Sequence, residues 1–403
     1  MDKAKENAAV GRELPDSGNE KRVDMIKFNY PYSTGREFDY IREAIQGGVM
    51  RGGGPLTLRC QRWLEEYTGV RKILLTHSCT AALEMAVILA DIGPGDEVIM
   101  PSFTFVSTAN AVVLRGGIPV FIDIRPDTLN IDESLIEPAI TPRTRAVMPV
   151  HYAGVGCEMD AIMAVADAKD LLVIEDAAQG MMATYKGRPL GGIGHLGAYS
   201  FHETKNVISG EGGALLVNDE RFVERAEIIW EKGTNRAQFF RGESDKYTWV
   251  DIGSSFLPSD IIAAFLLAQL QEAEAITSRR MSIYDRYHSA FAELEARGLA
   301  RRPIVPEHCV HNAHMYYLLL KDASTQAAVL NALKASAIQA VFHYVPLHDA
   351  PAGRKYARSH GVLDVTSNVA GRLIRLPLWI NMSDAEVQRV IDVTSTLIEK
   401  HSH

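Results

Sequence analysis

Two carboxylates follow an apolar run at a place where a sheet would present them to a ligand. Residues 171–174 are apolar, and Glu175 and Asp176 come directly after them, ahead of two alanines and the amide of Gln179. In an open parallel sheet, ligands bind beyond the carboxyl ends of the strands. A carboxylate buried there needs a cation or hydrogen-bond donors around it. The alternative interpretation, a helix cap or an exposed turn, is the commoner one for an isolated acid.

A single lysine occupies a similar position after another apolar run. Residues 198–201 lead into a loop that carries Lys205, and Gly210, Gly212 and Gly213 follow. Glycines allow a backbone to approach a ligand closely. Most lysines are solvated surface residues, but in a desolvated pocket the pKa of a lysine falls and its amine becomes a nucleophile towards carbonyl groups. Both interpretations stay open on the residues alone.

The third segment, residues 76–82, leads small hydroxyl-bearing residues into a predicted helix. Ser78 and Thr80 flank Cys79 at this point. Such residues cap helices. The free amides and the dipole of a helix N-terminus also bind phosphate. Taken alone, the segment favours the cap.

Strands and helices alternate along the first half of the chain, and this alternation must position the three segments. The predicted strands are continuous apolar runs, which is typical of strands buried on both faces. We therefore predict an α/β fold with a mostly parallel sheet covered by helices. The predicted strands are 72–76, 97–100, 119–122, 146–150 and 171–175, and the predicted helices are 37–46, 57–67, 80–91, 107–115 and 159–169.

The pattern changes after about residue 260 and predicts a second, smaller α/β unit. A long helical stretch is predicted over 261–294, followed by strands at 315–320 and 340–344 and helices at 325–335 and 384–400. We place the boundary near residue 275, with a large domain over 25–275 and a small C-terminal domain over 276–403. Residues 1–24 are polar, and we expect a poorly ordered extension there.

The amino-acid composition is typical of a globular protein. The 403 residues carry 42 Lys and Arg against 50 Asp and Glu, a net charge of −8, and 47% are hydrophobic. This excludes a disordered chain and argues against a nucleic-acid binder. The four cysteines form no metal or disulfide pattern. Because no signal peptide or membrane-spanning run is recognisable, we expect a cytoplasmic protein without a membrane partner.

The order and spacing of several motifs resemble the DegT/DnrJ/StrS-type family of pyridoxal-phosphate-dependent sugar aminotransferases. The resemblance extends from about residue 25 to about residue 400. It implies a fold-type I transferase with a mixed, mostly parallel sheet, and a homodimer with shared active sites. The motifs that carry it are GDEVIMPSFTF (95–105), EDAAQ (175–179), SFHETK (200–205) and GEGG (210–213).

The resemblance assigns cofactor roles to individual positions. Lys205 matches the lysine that bonds covalently to the cofactor and transfers protons, and Asp176 matches the acid beside the pyridine nitrogen. Gln179 matches the residue beside the phenolic oxygen, and Phe105 matches the aromatic ring that stacks on the cofactor; without the resemblance, a core phenylalanine is an equal alternative. The phosphate-binding positions are Cys79, Thr80 and Ser200, with Asn235 reaching the phosphate from the partner subunit.

The same resemblance predicts which residues bind the substrate. The segment 235–249 is the best local cationic cluster for a nucleotide diphosphate, although a solvated loop is an equal alternative for any one residue. The predicted substrate-binding residues are Arg236, Arg241, Lys246 and Tyr247, together with His343 and His348 of the motif HYVPLH. His311 and His314 suggest a metal pair, but no third ligand is evident, so we expect no metal.

Within the family, the sequence is most similar to enzymes that form dTDP-4-amino-4,6-dideoxy-D-galactose. The predicted reaction is amination of dTDP-4-oxo-6-deoxy-D-glucose with L-glutamate as donor, for cell-surface polysaccharide such as O-antigen. Leu257 stands where many relatives carry an arginine, which leaves no candidate for binding the donor carboxylate. The alternatives are a sugar 3-aminotransferase, a UDP-sugar 4-aminotransferase, and a non-catalytic regulator that binds the cofactor. An intact Lys205, Asp176 and Gln179 argue against the regulator.

Overall fold

In the computed structural model, which describes residues 24–402, an eight-stranded sheet forms the centre of the molecule. Its order is β1-β9-β8-β5-β4-β2-β3-β13. Only β9 runs antiparallel to its neighbours, so the sheet is mixed and mostly parallel, as predicted. The strands of the molecule are β1 Lys72–Thr76, β2 Glu97–Pro101, β3 Ile118–Ile122, β4 Thr144–Val147, β5 Leu172–Asp176, β6 Thr184–Tyr185, β7 Arg188–Pro189, β8 Leu196–Ser200, β9 Gly213–Val217, β10 Ala300–Arg301, β11 Cys309–Val310, β12 Tyr316–Leu320, β13 Arg358–Ser359 and β14 Leu373–Leu376.

Helices cover both faces of this sheet. On β1, Leu74 packs into one hydrophobic cluster while Ile73 and Leu75 pack into another, because successive side chains of a strand point to opposite faces. The helices are α1 Glu37–Gln46, α2 Pro55–Thr68, α3 Cys79–Leu89, α4 Val106–Val113, α5 Ile136–Ala139, α6 Met159–Ala168, α7 Val223–Trp230, α8 Arg236–Phe240, α9 Asp260–Gln271, α10 Ala273–Ala290, α11 Ala292–Ala296, α12 Ala323–Ala335, α13 Pro351–Tyr356, α14 Asp364–Ala370 and α15 Asp384–His401.

A small antiparallel sheet, β10-β12-β14, forms the centre of the C-terminal part. Its apolar residues pack with α10, α12 and α15 in a cluster of their own. Ile26, from the start of the described chain, joins this cluster, and Arg358 and Ser359 return to the edge of the large sheet. A boundary near residue 275 stays a prediction, and most of the predicted N-terminal extension (1–24) lies outside the described residues.

Two predictions about local structure are wrong. The segment 340–344 forms no strand; only Val341 makes a single bridge, to Arg375. The place beside β12 is taken by β14, which bears more apolar residues towards the core. The predicted helix over 261–294 is interrupted at Glu272, where α9 ends and α10 begins. No helix of residues 24–402 is long and apolar enough to cross a membrane.

Candidate active site

The three chemistry-bearing segments meet at one edge of the large sheet. Asp176 is the last residue of β5 and Ser200 is the last residue of β8, its parallel neighbour. Strand β1 ends at Thr76, and α3 begins at Cys79. The site therefore forms where the strand ends converge and a helix presents its N-terminus.

Asp176 is buried, with only 4% of its surface exposed. Its Oδ2 accepts a hydrogen bond from the hydroxyl of Thr108 at 2.7 Å, and its Oδ1 accepts one from the amide of Ala178 at 3.1 Å. Burial raises the pKa of Asp176, while these hydrogen bonds and the charge of Lys205 oppose the rise. The carboxylate is thus held in one orientation and lacks a direct ion pair among residues 24–402.

Lys205 lies in the loop after β8 and is partly buried. Its ammonium makes no hydrogen bond or ion pair with the part of the chain that the structure describes. Burial lowers the pKa of Lys205, and the nearby Cys79 and Asp176 oppose that shift. A lysine that loses its proton easily in an enclosed site can act as a nucleophile and as a proton carrier.

Polar groups gather at the N-terminus of α3. Ser78 caps the helix by accepting the amide hydrogen of Ala81, and the hydroxyl of Thr80 contacts that of Ser107 at 2.8 Å. Gly213 pairs with Ser200, and a Cβ on this glycine would lie 2.5 Å from the amide nitrogen of Cys79. The strand therefore reaches the helix terminus only because residue 213 is glycine.

Gln179 links the end of β5 to two other segments. Its Oε1 accepts from the amide of Ala153 at 2.7 Å, and its Nε2 donates to the hydroxyl of Tyr344 at 3.1 Å. The hydroxyl of Tyr152 contacts Nδ1 of His343 at 3.0 Å. Burial lowers the pKa of His343 well below its usual value, so the ring is neutral at the wall of the site.

Phe105 stands at the start of α4 with 59% of its surface exposed. Its neighbour Phe103 is buried against Tyr152, with ring centroids 5.1 Å apart. The Phe105 side chain is therefore largely accessible at the N-terminus of α4. Its stacking on a planar ligand stays a prediction.

The predicted cationic cluster of residues 236–247 has acidic partners. Arg236 pairs with Glu231, and Arg241 pairs with Glu227 and Glu243. A diphosphate would therefore compete with carboxylates for both arginines. Lys246 and Tyr247 are exposed, and Asn235 bonds within its own loop, to Ser244, Lys246 and Thr248.

His348 is only partly exposed and contacts the segment that follows β2. Its Nδ1 contacts the hydroxyl of Ser102 at 2.7 Å. Ser102 precedes Phe103 and Phe105, so this contact ties the motif HYVPLH to the segment that carries the exposed ring. The roles of His343 and His348 towards a sugar stay predictions.

Sequence reasoning missed several residues of the site. Thr108 holds Asp176, Ser107 meets Thr80, and Tyr344 meets Gln179. His314, considered above as a metal ligand, is buried with its Nδ1 3.2 Å from Oδ1 of Asn206, the residue after Lys205. One feature of the sequence could have indicated Ser107 and Thr108: both hydroxyls follow directly after the motif 95–105, at the start of α4. No group of three His, Cys, Asp or Glu side chains in residues 24–402 is arranged to hold a metal ion.

The donor set of this site fits pyridoxal phosphate. An acid at the end of β5 suits a pyridine nitrogen, an amine with a lowered pKa suits an aldehyde, and the free amides of α3 with the Ser200 hydroxyl suit a phosphate. The fold and this set of groups together define a cofactor-dependent transferase.

Residues 31–395 match the DegT/DnrJ/EryC1/StrS aminotransferase family. The spore coat polysaccharide biosynthesis protein SpsC of Bacillus subtilis is 35% identical over 94% of this chain and 99% of its own length. The GDP-perosamine synthase of Caulobacter vibrioides is 32% identical over 92% of this chain and 97% of its own. The putative sugar aminotransferase Spr1654 of Streptococcus pneumoniae, solved in PLP and PMP forms, superposes with a TM-score of 0.86 in each, at 28% identity; its PLP form covers 94% of this chain and 99% of its own.

The chain belongs to the DegT/DnrJ/EryC1/StrS aminotransferase family. It is a sugar aminotransferase with the fold predicted from the sequence, and its cofactor is pyridoxal phosphate.

Proposed function

We propose that this enzyme transfers the amino group of L-glutamate to C4 of dTDP-4-oxo-6-deoxy-D-glucose, giving dTDP-4-amino-4,6-dideoxy-D-galactose. The observation that carries the transfer chemistry is the proximity of Lys205 and Asp176, which follow the neighbouring strands β8 and β5 and lie close enough for each charge to influence the pKa of the other. An amine that releases its proton and an acid that keeps a negative charge nearby are the two groups that amino transfer requires of the protein.

When bound, pyridoxal phosphate supplies an aldehyde carbon that accepts the amino group and a ring that accepts electrons. Lys205 would hold the cofactor through its amine and, when released by the incoming amino group, would carry a proton at Nζ. Asp176 would keep a proton on the ring nitrogen, and Thr108 and Ala178 fix the orientation of its carboxylate. The amides of Cys79 and Thr80 and the hydroxyl of Ser200 would hold the phosphate.

The choice of sugar rests on the motif HYVPLH and on the absence of an arginine at Leu257, both typical of the dTDP-4-amino-4,6-dideoxygalactose subgroup. His343 and His348 line the sugar, and Arg236, Arg241, Lys246 and Tyr247 meet the nucleotide. The experiment supplies holoenzyme with L-glutamate and 4-keto sugars linked to dTDP, UDP or GDP. We expect turnover of the dTDP sugar, with nitrogen at C4 by NMR. Turnover of the UDP or GDP sugar alone would refute the proposed substrate.

The enzyme acts as a homodimer in which Asn235 completes the neighbouring site. Exposed apolar side chains support an interface between copies, notably Phe105 at the start of α4 and Phe240 and Trp249 in the segment 235–249, the last with 78% of its surface exposed. Mixing inactive Lys205→Ala and Asn235→Ala dimers tests shared sites, because a mixed dimer has one site with neither substitution. We expect recovery of about a quarter of wild-type turnover after random exchange. No recovery in dimers shown to have exchanged would contradict sharing.

A further inference from the structure

Arg375 is an arginine of β14 that faces the candidate site. It lies directly opposite Tyr317 of β12, and its backbone also pairs with Val341. Residues directly opposite each other in an antiparallel pair place their side chains on the same face of the sheet. The guanidinium therefore shares a face with the Tyr317 ring.

That face of the small sheet abuts the site. The Tyr317 ring lies 5.9 Å from the ring of Tyr152, which contacts His343. The charge of Arg375 also contributes to the lowered pKa values of Lys205 and His343. Arg375 is thus a cation on the face that packs towards the site, close enough to Lys205 for the two charges to interact, on a strand that the sequence patterns did not predict.

The guanidinium of Arg375 has no acceptor among the residues that the structure describes. Its Nε is buried without a hydrogen-bond partner, and its Cζ packs 4.8 Å from the ring centroid of Phe28. Arg280, which is buried, instead donates to the carbonyls of Ala313 and His314. Arg375 is half-buried and its Nε lacks an acceptor, so its charge is poorly compensated within the fold, and an anion that arrives with a ligand is the natural partner.

Two anionic substrates reach this enzyme under the proposed function, on which this inference rests: L-glutamate, with its α- and γ-carboxylates, and the sugar nucleotide, with its diphosphate. The donor must bring its amino-bearing carbon to Lys205, and its α-carboxylate is bonded to that same carbon. The diphosphate is separated from C4 by the sugar ring. A guanidinium beside Lys205 therefore suits the donor. We infer that Arg375 binds the α-carboxylate of the donor amino acid.

The test compares Arg375→Gln and Arg375→Lys with wild-type holoenzyme. Loss of a charge-assisted hydrogen bond of about 1.5–3 kcal/mol weakens binding roughly 10- to 150-fold. We expect the Gln variant to raise the KM for L-glutamate by that factor and to leave the KM for the keto sugar within about threefold. L-Glutamate titrated without sugar, followed by cofactor absorbance, should show the same loss of affinity. The Lys variant should show a smaller loss.

Thermal melting separates a ligand-binding arginine from a structural one. Because Arg375 has no acceptor, Arg375→Gln should melt at the wild-type temperature or above it. Arg372→Gln is the control: Arg372 donates to the carbonyl of Leu320 and to Asn368, so its loss should lower the melting temperature without raising the KM for L-glutamate.

Three outcomes would overturn the inference: unchanged glutamate affinity in both Arg375 variants, a rise in the KM for the keto sugar alone, or parallel rises for both substrates. If Arg375→Gln does not fold, the affinity of Arg375→Lys for L-glutamate tests the inference, because this variant keeps the charge but loses the planar guanidinium. These results do not depend on which keto sugar the wild type prefers. Failure of wild-type enzyme to use L-glutamate at all would instead refute the proposed function.

Discussion

The hydroxyl of Thr108 donates a 2.7 Å hydrogen bond to Oδ2 of Asp176, joining α4 to the end of β5. Thr104 is 2.8 Å from the same Thr108 oxygen and, since the Thr108 proton is used by Asp176, donates to it. A short chain of hydroxyls, all buried, thus leads to the acid that the cofactor ring nitrogen requires.

Thr108→Val should lower kcat about 10- to 100-fold while the protein stays folded. The substitution keeps the shape and removes a hydrogen bond to a charged group, which is about 1.5–3 kcal/mol. Without that donor the pKa of Asp176 rises further above its usual value, and the acid supports a protonated ring nitrogen less well. Steady-state kinetics of the holoenzyme measure the change.

Thr144→Val is the matched control for Thr108→Val. Thr144 is also buried, and its hydroxyl accepts from the amide of Thr141 at the start of β4, at the opposite end of the strands from Asp176. We expect a stability loss with kcat unchanged. An equal fall of kcat in both variants would show that the effect of Thr108 is structural.

Lys205→Met should abolish turnover and raise the melting temperature of the apo enzyme near neutral pH. Burial lowers the pKa of Lys205 in the fold below its unfolded value of about 10.4, so the protonated amine destabilises the folded state. This penalty grows as pH falls below about 10.4 and vanishes as pH rises towards that value. Melting curves of apo wild type and variant from about pH 7 to pH 10 should therefore converge.

Lys334→Met, on the exposed face of α12, serves as the control for that pH series. Its melting temperature should follow wild type across the range. A stability advantage of Lys205→Met that stays constant with pH would contradict a destabilising ammonium at Lys205. Residual turnover in that variant near the wild-type rate would remove Lys205 from the chemistry altogether.

Gly213→Ala should weaken binding of the cofactor phosphate and destabilise the protein by about 1–3 kcal/mol. The new Cβ would meet the backbone of Ser78 and Cys79 at 2.5 Å, so β9 and the N-terminus of α3 would have to separate. Cofactor release during dialysis measures the weaker binding, and urea unfolding measures the loss of stability. Gly371→Ala, whose Cβ meets nothing closer than 3.6 Å, should leave both unchanged.

Glu175→Gln should destabilise the fold by about 2–4 kcal/mol. Both carboxylate oxygens accept: one from the amides of Ile193 and Gly194, the other from Gly191 and from Nε2 of His151. An amide NH2 in place of either oxygen would face donors only. Urea unfolding measures the change in the free energy of unfolding. The control Glu220→Gln, at an exposed position, should change that free energy little. Equal stability of the two variants would refute this account.

Local sequence pattern was enough to predict many of the strands and helices of the large sheet and its covering layers. The segments 37–46 and 72–76 form a helix and a strand with the predicted bounds. The periodicity of apolar residues that distinguishes a helix from a buried strand lies within each segment itself. The two segments ending at Asp176 and leading to Lys205 were also recognisable, since a reactive side chain after an apolar run marks the end of a strand.

Tertiary structure decided the rest. The segment 340–344 has the apolar content of a strand, yet β14 has the place beside β12, and a choice between two candidate strands depends on packing that neither segment contains. The contact of Thr108 with Asp176 and the placement of Arg375 beside Lys205 join residues 68 and 170 positions apart. Such proximity follows from strand order and domain packing, which local periodicity does not encode.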